Sequence, residues 1–232
     1  MKPRVSVRVA CFLMVQALAP LFAAEAGAPA AGSDIGPVRA VFVPLDAPEV
    51  AEVRSLGERA INRLAVSLVT EASSTVARKG LLAALGVCHL RNVAATGAII
   101  PDMPRITVWK RTSLRLRDVA NAPDPAERLV LQRIRAELEE GNAPSKLLVQ
   151  RIDHPDGAKE WRVYRPIAVA AQCLACHGEP DAMSLELREE LKARYPSDEA
   201  VGYSVGEWRG IVRVTVLDAP AAPNKIPVPN KK

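Results

Sequence analysis

The segment Cys173-Leu174-Ala175-Cys176-His177 places two thiols and one imidazole within five residues. This C-x-x-C-H spacing is the signature of c-type heme attachment. In such a site both thiols form thioethers to the porphyrin, and the adjacent histidine is the proximal ligand of the iron. The sequence therefore predicts one covalent heme c, attached through Cys173 and Cys176 and ligated by His177.

Two other kinds of site also use a Cys-x-x-Cys pair. A zinc site needs a second closely spaced pair of ligands, which this sequence does not contain. A redox disulfide of the thioredoxin type should open a helix directly after a strand of a βαβ unit, and the histidine that follows would then be incidental. Heme attachment is favoured because it accounts for all three side chains.

Residues 1–26 show the three regions of a secretory signal peptide. A basic start precedes an uncharged run over 9–24, and small residues follow at 23–27. The run is shorter than the roughly 20 residues of a spanning helix, and Pro20 interrupts it. We expect cleavage after Ala26 and a mature protein that is soluble in the periplasm, without a stable membrane span.

Removal of the signal peptide also corrects the net charge. The chain carries 31 basic and 26 acidic residues, and three basic residues and one acidic residue lie in 1–26, so the mature net charge falls from +5 to +3. Aromatic residues make up only 4% of the chain, which leaves few platforms for base stacking. Neither feature indicates a nucleic-acid partner.

Composition divides the mature chain into three parts. Residues 27–48 are rich in Ala, Gly and Pro and are predicted to be a flexible lead-in. Residues 218–232 are rich in Pro and lack periodicity, which predicts a disordered tail. The interval 49–217 has the size and apolar content of one globular domain.

Helical periodicity is found in four segments of that domain. Apolar spacing predicts a long helix over 48–79 that breaks at Gly80, and a second helix over 81–96. The order Asp124-Pro125-Ala126-Glu127 predicts a capping box that starts a helix running to about residue 140. A short helix is predicted over 185–194.

Strand patterns lie between and after these helices. Alternating residues predict strands over 105–109 and 209–217, and a hairpin that joins 146–153 to 159–166 through the turn at 154–157. Helices that alternate irregularly with a few short strands favour an α+β fold over a parallel α/β fold.

Cys88 is the thiol left over in the mature chain. Three cysteines remain after processing, and an odd number in an oxidising compartment needs an explanation. Cys88 shares a helix face with Leu81 and Leu85, so both a buried core thiol and a distal iron ligand fit the pattern. His89 is the rival ligand, but it points about 100° around the helix, so both cannot face the iron.

The remaining candidates in the sequence have weaker signals. The sequence is also compatible with a sixth iron position that is open or filled by water. His154 is predicted to be a turn residue, and Met103 and Met183 are predicted to be packing or loop residues. Four arginines could neutralise the heme propionates or simply face solvent, with Arg111 placed first among them: Arg111, Arg115, Arg117 and Arg209.

Several stretches in order along the chain carry a family resemblance. They are Ala84-Leu85-Gly86-Val87-Cys88, Arg111-Thr112-Ser113-Leu114, Asn121-Ala122-Pro123-Asp124, the heme motif through Gly178, residues 195–203, and Gly206-Glu207-Trp208-Arg209-Gly210. Across 49–217 the chain resembles exported single-heme c-type cytochromes with a PAS-like fold. Lys110, where Gly is frequent in the family, and Glu207, where Asp is common, depart from that pattern.

The resemblance implies a fold and an iron coordination. It implies a PAS-like antiparallel sheet with long N-terminal helices and a covalently attached heme c. It also implies that a helix cysteine, which would be Cys88 here, opposes His177 on the iron.

Three functional hypotheses follow from a single heme on an exported chain. The favoured one is a small, low-potential electron-transfer protein that serves an unidentified redox partner. The alternative is a heme-based redox or gas sensor that exchanges its distal ligand, although the chain shows no output domain. A heme enzyme such as a peroxidase is the weakest hypothesis, because no distal His/Arg pair is recognisable, and we expect no enzymatic activity.

Overall fold

A five-stranded antiparallel sheet lies at the centre of the domain in the computed structural model, which describes residues 38–87, 103 and 105–218. Its strand order is β1-β3-β4-β5-β2, and all neighbouring strands are antiparallel. The strands are β1 Arg39–Phe42, β2 Ile106–Thr112, β3 Leu148–Asp153, β4 Lys159–Ala168 and β5 Trp208–Leu217. The predicted signal peptide, Cys88, His89 and the tail beyond 218 lie outside the described residues.

The described helices are α1 Ala51–Lys79, α2 Leu81–Ala84, α3 Pro125–Glu139, α4 Leu174–His177 and α5 Leu185–Arg194. The predicted α+β class is confirmed, as is the long helix that ends at Gly80, where φ is +82°. Of the helix predicted over 81–96, α2 and a turn over 85–87 are described. Within the described part of the chain, no helix is both long enough and apolar enough to cross a membrane.

Helix α1 covers one face of the sheet through its N-terminal half. Its buried residues pack against apolar side chains that alternate along β3, β4 and β5, as expected for a helix stripe facing one side of a pleated sheet. The buried residues of this core are Val50, Val53, Ala60, Ile61, Leu64, Met103, Ile106, Leu147, Val149, Trp161, Val163, Val214 and Val216. The prediction that Met103 is a packing residue is thereby confirmed.

The closest approach of α1 to the sheet occurs at Gly57. A Cβ built on this glycine would lie 2.4 Å from Cγ2 of the buried Val163. No real Cβ tolerates that distance, so the missing side chain lets the helix backbone contact β4.

We expect Gly57→Ala to destabilise the domain even though alanine is the better helix former. The new Cβ would clash with Val163, and relief of this clash must shift α1 or Val163, which costs about 1–3 kcal/mol. The gain in helix propensity is at most about 1 kcal/mol. Denaturant unfolding measures the difference. Ser73→Ala, on the exposed half of α1, is the matched control and should change the unfolding free energy by less than about 0.5 kcal/mol. A Gly57→Ala protein of parental stability would contradict the close packing.

Helix α3 covers the opposite face, and its start is the predicted capping box. Asp124 Oδ1 accepts from the backbone N–H of Glu127 at 2.8 Å, while Glu127 Oε2 accepts from the backbone N–H of Asp124 at 2.8 Å. Although burial acts to raise it, the pKa of Asp124 is lowered by this hydrogen bond and by Arg162. The apolar contacts of α3 with the sheet involve Val130, Leu131, Ile134, Leu148, Tyr164 and Ile211.

Glu127 also anchors the sheet to the start of α3. Its carboxylate is fully buried and lies 2.7 Å from Lys110 Nζ on β2 and 3.0 Å from Arg213 Nε on β5. Lys110 also donates to the backbone oxygen of Ala122, and the Thr112 hydroxyl donates to that of Asn121. The connection from β2 to α3, which carries Arg115 and Arg117, is therefore held at both ends.

Strand β1 lies within the stretch 27–48 that the sequence predicts to be a flexible lead-in, and it corrects that prediction for residues 39–42. Arg39–Phe42 pairs with Gln150–Asp153 of β3 at the sheet edge. The strand is only four residues long and follows a stretch rich in Ala, Gly and Pro, so local periodicity gave no signal. It is stabilised by backbone pairing with residues more than 100 positions away.

Candidate functional site

The Cys-x-x-Cys-His motif lies in the connection between β4 and β5. A single 3₁₀ turn, Ala171–Cys173, leads directly into α4. Cys173 is the residue preceding α4, and Cys176 and His177 occupy its last two positions. Cys173 and Cys176 are both thiols and are partly buried. The sequence motif therefore forms one compact turn, as its spacing predicts.

A second segment, residues 198–203, lies along this turn. The backbone N–H of Tyr203 donates to the oxygen of His177 at 2.9 Å, and that of Gly202 donates to the oxygen of Gly178 at 2.8 Å. Gly202 has φ +70°, a conformation that glycine adopts without strain. We call residues 198–203 the bracing loop, because these bonds hold it against the motif.

The bracing loop determines which nitrogen of His177 carries the proton. His177 Nδ1 lies 2.7 Å from the backbone oxygen of Ala200. A carbonyl oxygen only accepts hydrogen bonds, so Nδ1 must donate, and the lone pair of the neutral ring is then on Nε2. Burial lowers the pKa of His177 to about 3, and Arg117 adds to this shift against the Ala200 hydrogen bond. The residue is thus a neutral imidazole with Nε2 available as a ligand.

The guanidinium of Arg115 binds other groups of the protein. Its side chain donates to the backbone oxygens of Glu199 and Val201 in the bracing loop. Its guanidinium also lies 4.2 Å from the centre of the Tyr203 ring, within the range of a cation–π contact. Arg115 is therefore a structural support of the bracing loop in this arrangement.

Arg209 and Arg111 place positive charge beside His177. Arg209 donates to the backbone oxygen of Arg115 at 3.0 Å, while its buried Nε has no hydrogen-bond partner among the described residues. Burial lowers the pKa of Arg209 to about 10, with Arg111 and Arg117 adding to this shift and Tyr203 opposing it. Arg111 and Arg209 also lower the pKa of His177. This concentration of partly buried cations would stabilise an anionic group placed next to them.

Apolar side chains surround both cysteines. Cys176 packs against a cluster that joins the α2 region to α5, formed by Leu81, Leu82, Leu85, Met183, Leu187, Leu191, Tyr195 and Val201. Cys173 packs against Val169, Ala200 and Tyr203. Met183 is thus a packing residue, as predicted, and His154 lies in the β3–β4 turn with Nε2 3.8 Å from Glu160.

These features fit the requirements of a covalent heme. The site offers two thiols, one imidazole nitrogen with its lone pair available, an apolar surface for a macrocycle and cations for its carboxylates. Among the residues that the structure describes, no group of three or more His, Cys, Asp or Glu could hold a metal ion by itself.

Sequence reasoning did not identify the residues that support His177. Ala200 acts through its backbone oxygen, and Asp198 and Tyr203 lie more than 20 positions from the motif. Their only signal was that they lie in one of the stretches, 195–203, that carry the family resemblance.

Comparison with known proteins places the chain in a family. The Tll0287-like family matches residues 58–216, which is more than half of the 232-residue chain. The solved structure of the cyanobacterial heme-protein Tll0287 is 23% identical, with a TM-score of 0.47, and the match covers 76% of this chain and 99% of that one. The comparison with curated proteins gives no match. The chain, whose motif turn and bracing loop lie within the matched residues, belongs to the Tll0287-like family.

Proposed function

We propose that this protein is a periplasmic mono-heme c-type cytochrome that acts as a small, low-potential electron-transfer protein. The observation that carries the proposal is the neutral His177, whose Nδ1 is bound by Ala200 and whose Nε2 is available, beside the two thiols of Cys173 and Cys176. Membership of a family that takes its name from the heme-protein Tll0287 supports heme binding. The signal-peptide pattern of 1–26 supports the compartment in which c-type heme is attached.

Each side chain of the motif has a separate task in this proposal. Cys173 and Cys176 hold one heme by thioether bonds, and His177 is the proximal ligand. The heme supplies a one-electron iron couple. The chain keeps the ring of His177 oriented and excludes water from its proximal side, which limits the rearrangement that accompanies electron transfer.

Cys88 is the proposed distal ligand, with His89 as the alternative. Leu85 lies three residues before Cys88 and packs in the same apolar cluster as Cys176. The described chain therefore reaches the wall of the site three residues before Cys88. This proximity supports ligation from that segment and is compatible with either residue.

Arg209 and Arg111 are the proposed partners of the two propionates. Both lie close enough to His177 to lower its pKa, and Arg209 retains a buried N–H without a hydrogen bond among the described residues. Arg115 and Arg117 bind backbone oxygens of the bracing loop or the motif, and we assign them to the support of these segments. Two carboxylates would offset the repulsion among these cations.

The fold is proposed to be PAS-like. Strands β3, β4 and β5 form an antiparallel meander, and the motif is inserted between the last two of them. Strand β2 pairs with β5, so the first and last long strands of the domain are neighbours. This arrangement around a helix-covered sheet supports the resemblance.

A carbon monoxide titration of the ferrous protein tests the electron-transfer role against the sensor role. We expect the mature protein to cycle reversibly between oxidation states while both axial ligands stay in place, so that stoichiometric carbon monoxide leaves the ferrous absorption spectrum unchanged. Electron carriers keep their coordination constant, whereas a sensor must open a position. Rapid formation of a carbon monoxide complex on reduction would contradict the electron-transfer proposal and favour a gas or redox sensor.

A further inference from the structure

Arg117 connects the motif to the bracing loop. Its Nε donates to Asp198 Oδ2 at 3.0 Å, and its Nη2 donates to the backbone oxygen of Cys176 and, at 3.3 Å, to that of Ala200. The side chains of Arg117 and Asp198 are 13% and 11% exposed. The pair is thus largely shielded from solvent and salt. Charge-assisted hydrogen bonds stabilise a structure most when they are shielded in this way.

Asp198 completes the connection from the other side. Its Oδ1 accepts from the backbone N–H of Ala200 at 2.8 Å. One carboxylate therefore holds Ala200 directly with one oxygen and holds Arg117 with the other. Ala200 is the residue whose backbone oxygen binds His177, so the position of this oxygen depends on both charged side chains.

We propose that Arg117 and Asp198 are positioning residues that place the Ala200 oxygen against His177 Nδ1 and thereby tune the reduction potential of the heme. The effect on the potential rests on the proposed function, whereas the effect on the His177 hydrogen bond does not. Neither residue contacts Nε2 of His177. They act through the backbone of the bracing loop.

The expected direction of the change in reduction potential follows from the hydrogen bond between His177 Nδ1 and the Ala200 oxygen. A short Nδ1–H···O bond gives the imidazole more anionic character, which makes it a better ligand and stabilises oxidised iron. Loss of the Arg117–Asp198 pair lets the bracing loop move and lengthens this bond on average. The potential should therefore rise when the pair is broken without changing the net charge.

Arg117→Lys is the variant that separates geometry from charge. Lysine keeps the positive charge but presents one compact ammonium, which cannot reproduce the planar fork that reaches Asp198, Cys176 and Ala200 together. Arg165→Lys is the matched control, because it makes the same exchange on β4, where the guanidinium of Arg165 binds Asn62 and Glu58 of α1 and not the bracing loop.

Two readouts on the mature chain test the proposal. In the first, NMR follows hydrogen exchange of the His177 Nδ1 proton. We expect this exchange to be about tenfold faster in Arg117→Lys, or about 1.4 kcal/mol of lost protection, and within about twofold of the parent in Arg165→Lys. In the second, redox titration should show the reduced-to-oxidised ratio at fixed potential raised about three- to tenfold, tenfold being about 59 mV.

The outcomes are decisive in either direction. Unchanged exchange and potential in Arg117→Lys, or an equal acceleration in Arg165→Lys, would overturn the assignment. If Arg117→Lys does not fold, Asp198→Asn replaces it, since it keeps an acceptor for Ala200 and loses the ionic contact, and it should also accelerate exchange. If the parent chain carries no heme, the proposed function fails, while Nδ1 exchange still tests the positioning pair.

Discussion

The Cys173→Ser/Cys176→Ser variant is expected to lose covalent heme completely after maturation in a periplasm, while the parent chain retains one heme. Serine hydroxyls do not form the thioethers that the two thiols of the motif turn provide. Acid–acetone extraction followed by mass spectrometry of the polypeptide measures the result. The parent mass should exceed that of the processed chain by one heme, and the variant mass should not.

Two single variants serve as controls for this experiment. His177→Ala should keep the thioethers but alter the iron spectrum, since it removes the nitrogen ligand and leaves both thiols in place. Cys88→Ser should also retain covalent heme, because Cys88 is outside the motif. Free heme in the extract of the parent, together with an unmodified chain mass, would refute covalent attachment.

Cys88→Ala is expected to abolish a thiolate-type low-spin ferric EPR signal and to raise the reduction potential. A thiolate stabilises ferric over ferrous iron because its negative charge offsets the additional positive charge of the oxidised centre. We expect the equilibrium to shift toward the reduced state by at least about tenfold, or about 59 mV for one electron. EPR spectra and redox titrations of the parent and the variant measure the two effects.

His89→Ala is the matched control, since it changes the neighbouring residue and should leave the signal and the potential nearly unaltered. The reverse pattern would identify a bis-histidine cytochrome in which Cys88 is a buried thiol. A parent potential well above zero that does not respond to Cys88→Ala would contradict thiolate ligation altogether.

The elements that were predicted correctly are those with local causes. The start of α3 depends on Asp124, Pro125 and Glu127 within four residues, and its end on Gly141, where φ is +78°. The β3–β4 hairpin depends on the turn at 154–157. Strand β1 was missed because its partner, β3, lies more than 100 residues away and nothing in its own four residues marks it.

The same distinction separates the four arginines near the site. Their sequence environments are alike, and charge by itself does not distinguish a propionate partner from a structural support. The structure distinguishes three of them by their hydrogen bonds. Arg115 binds loop carbonyls, and Arg117 binds Asp198 and two carbonyls. Arg209 has a buried Nε without a hydrogen-bond partner among the described residues.

The sequence alone determined the chemistry available at the motif, because two thiols and an imidazole on one helical turn are close together whatever surrounds them. Only the tertiary structure decided the state of that imidazole. The proton of His177 is on Nδ1 because the Ala200 oxygen accepts from it, and the ring is neutral because burial and Arg117 lower its pKa. Ala200, Arg117 and the Asp198 that holds them come from chain segments 21 to 60 residues away from His177. Hydrogen-bond partners that are distant in the chain leave no local pattern, so the fold must place them before their effect is visible.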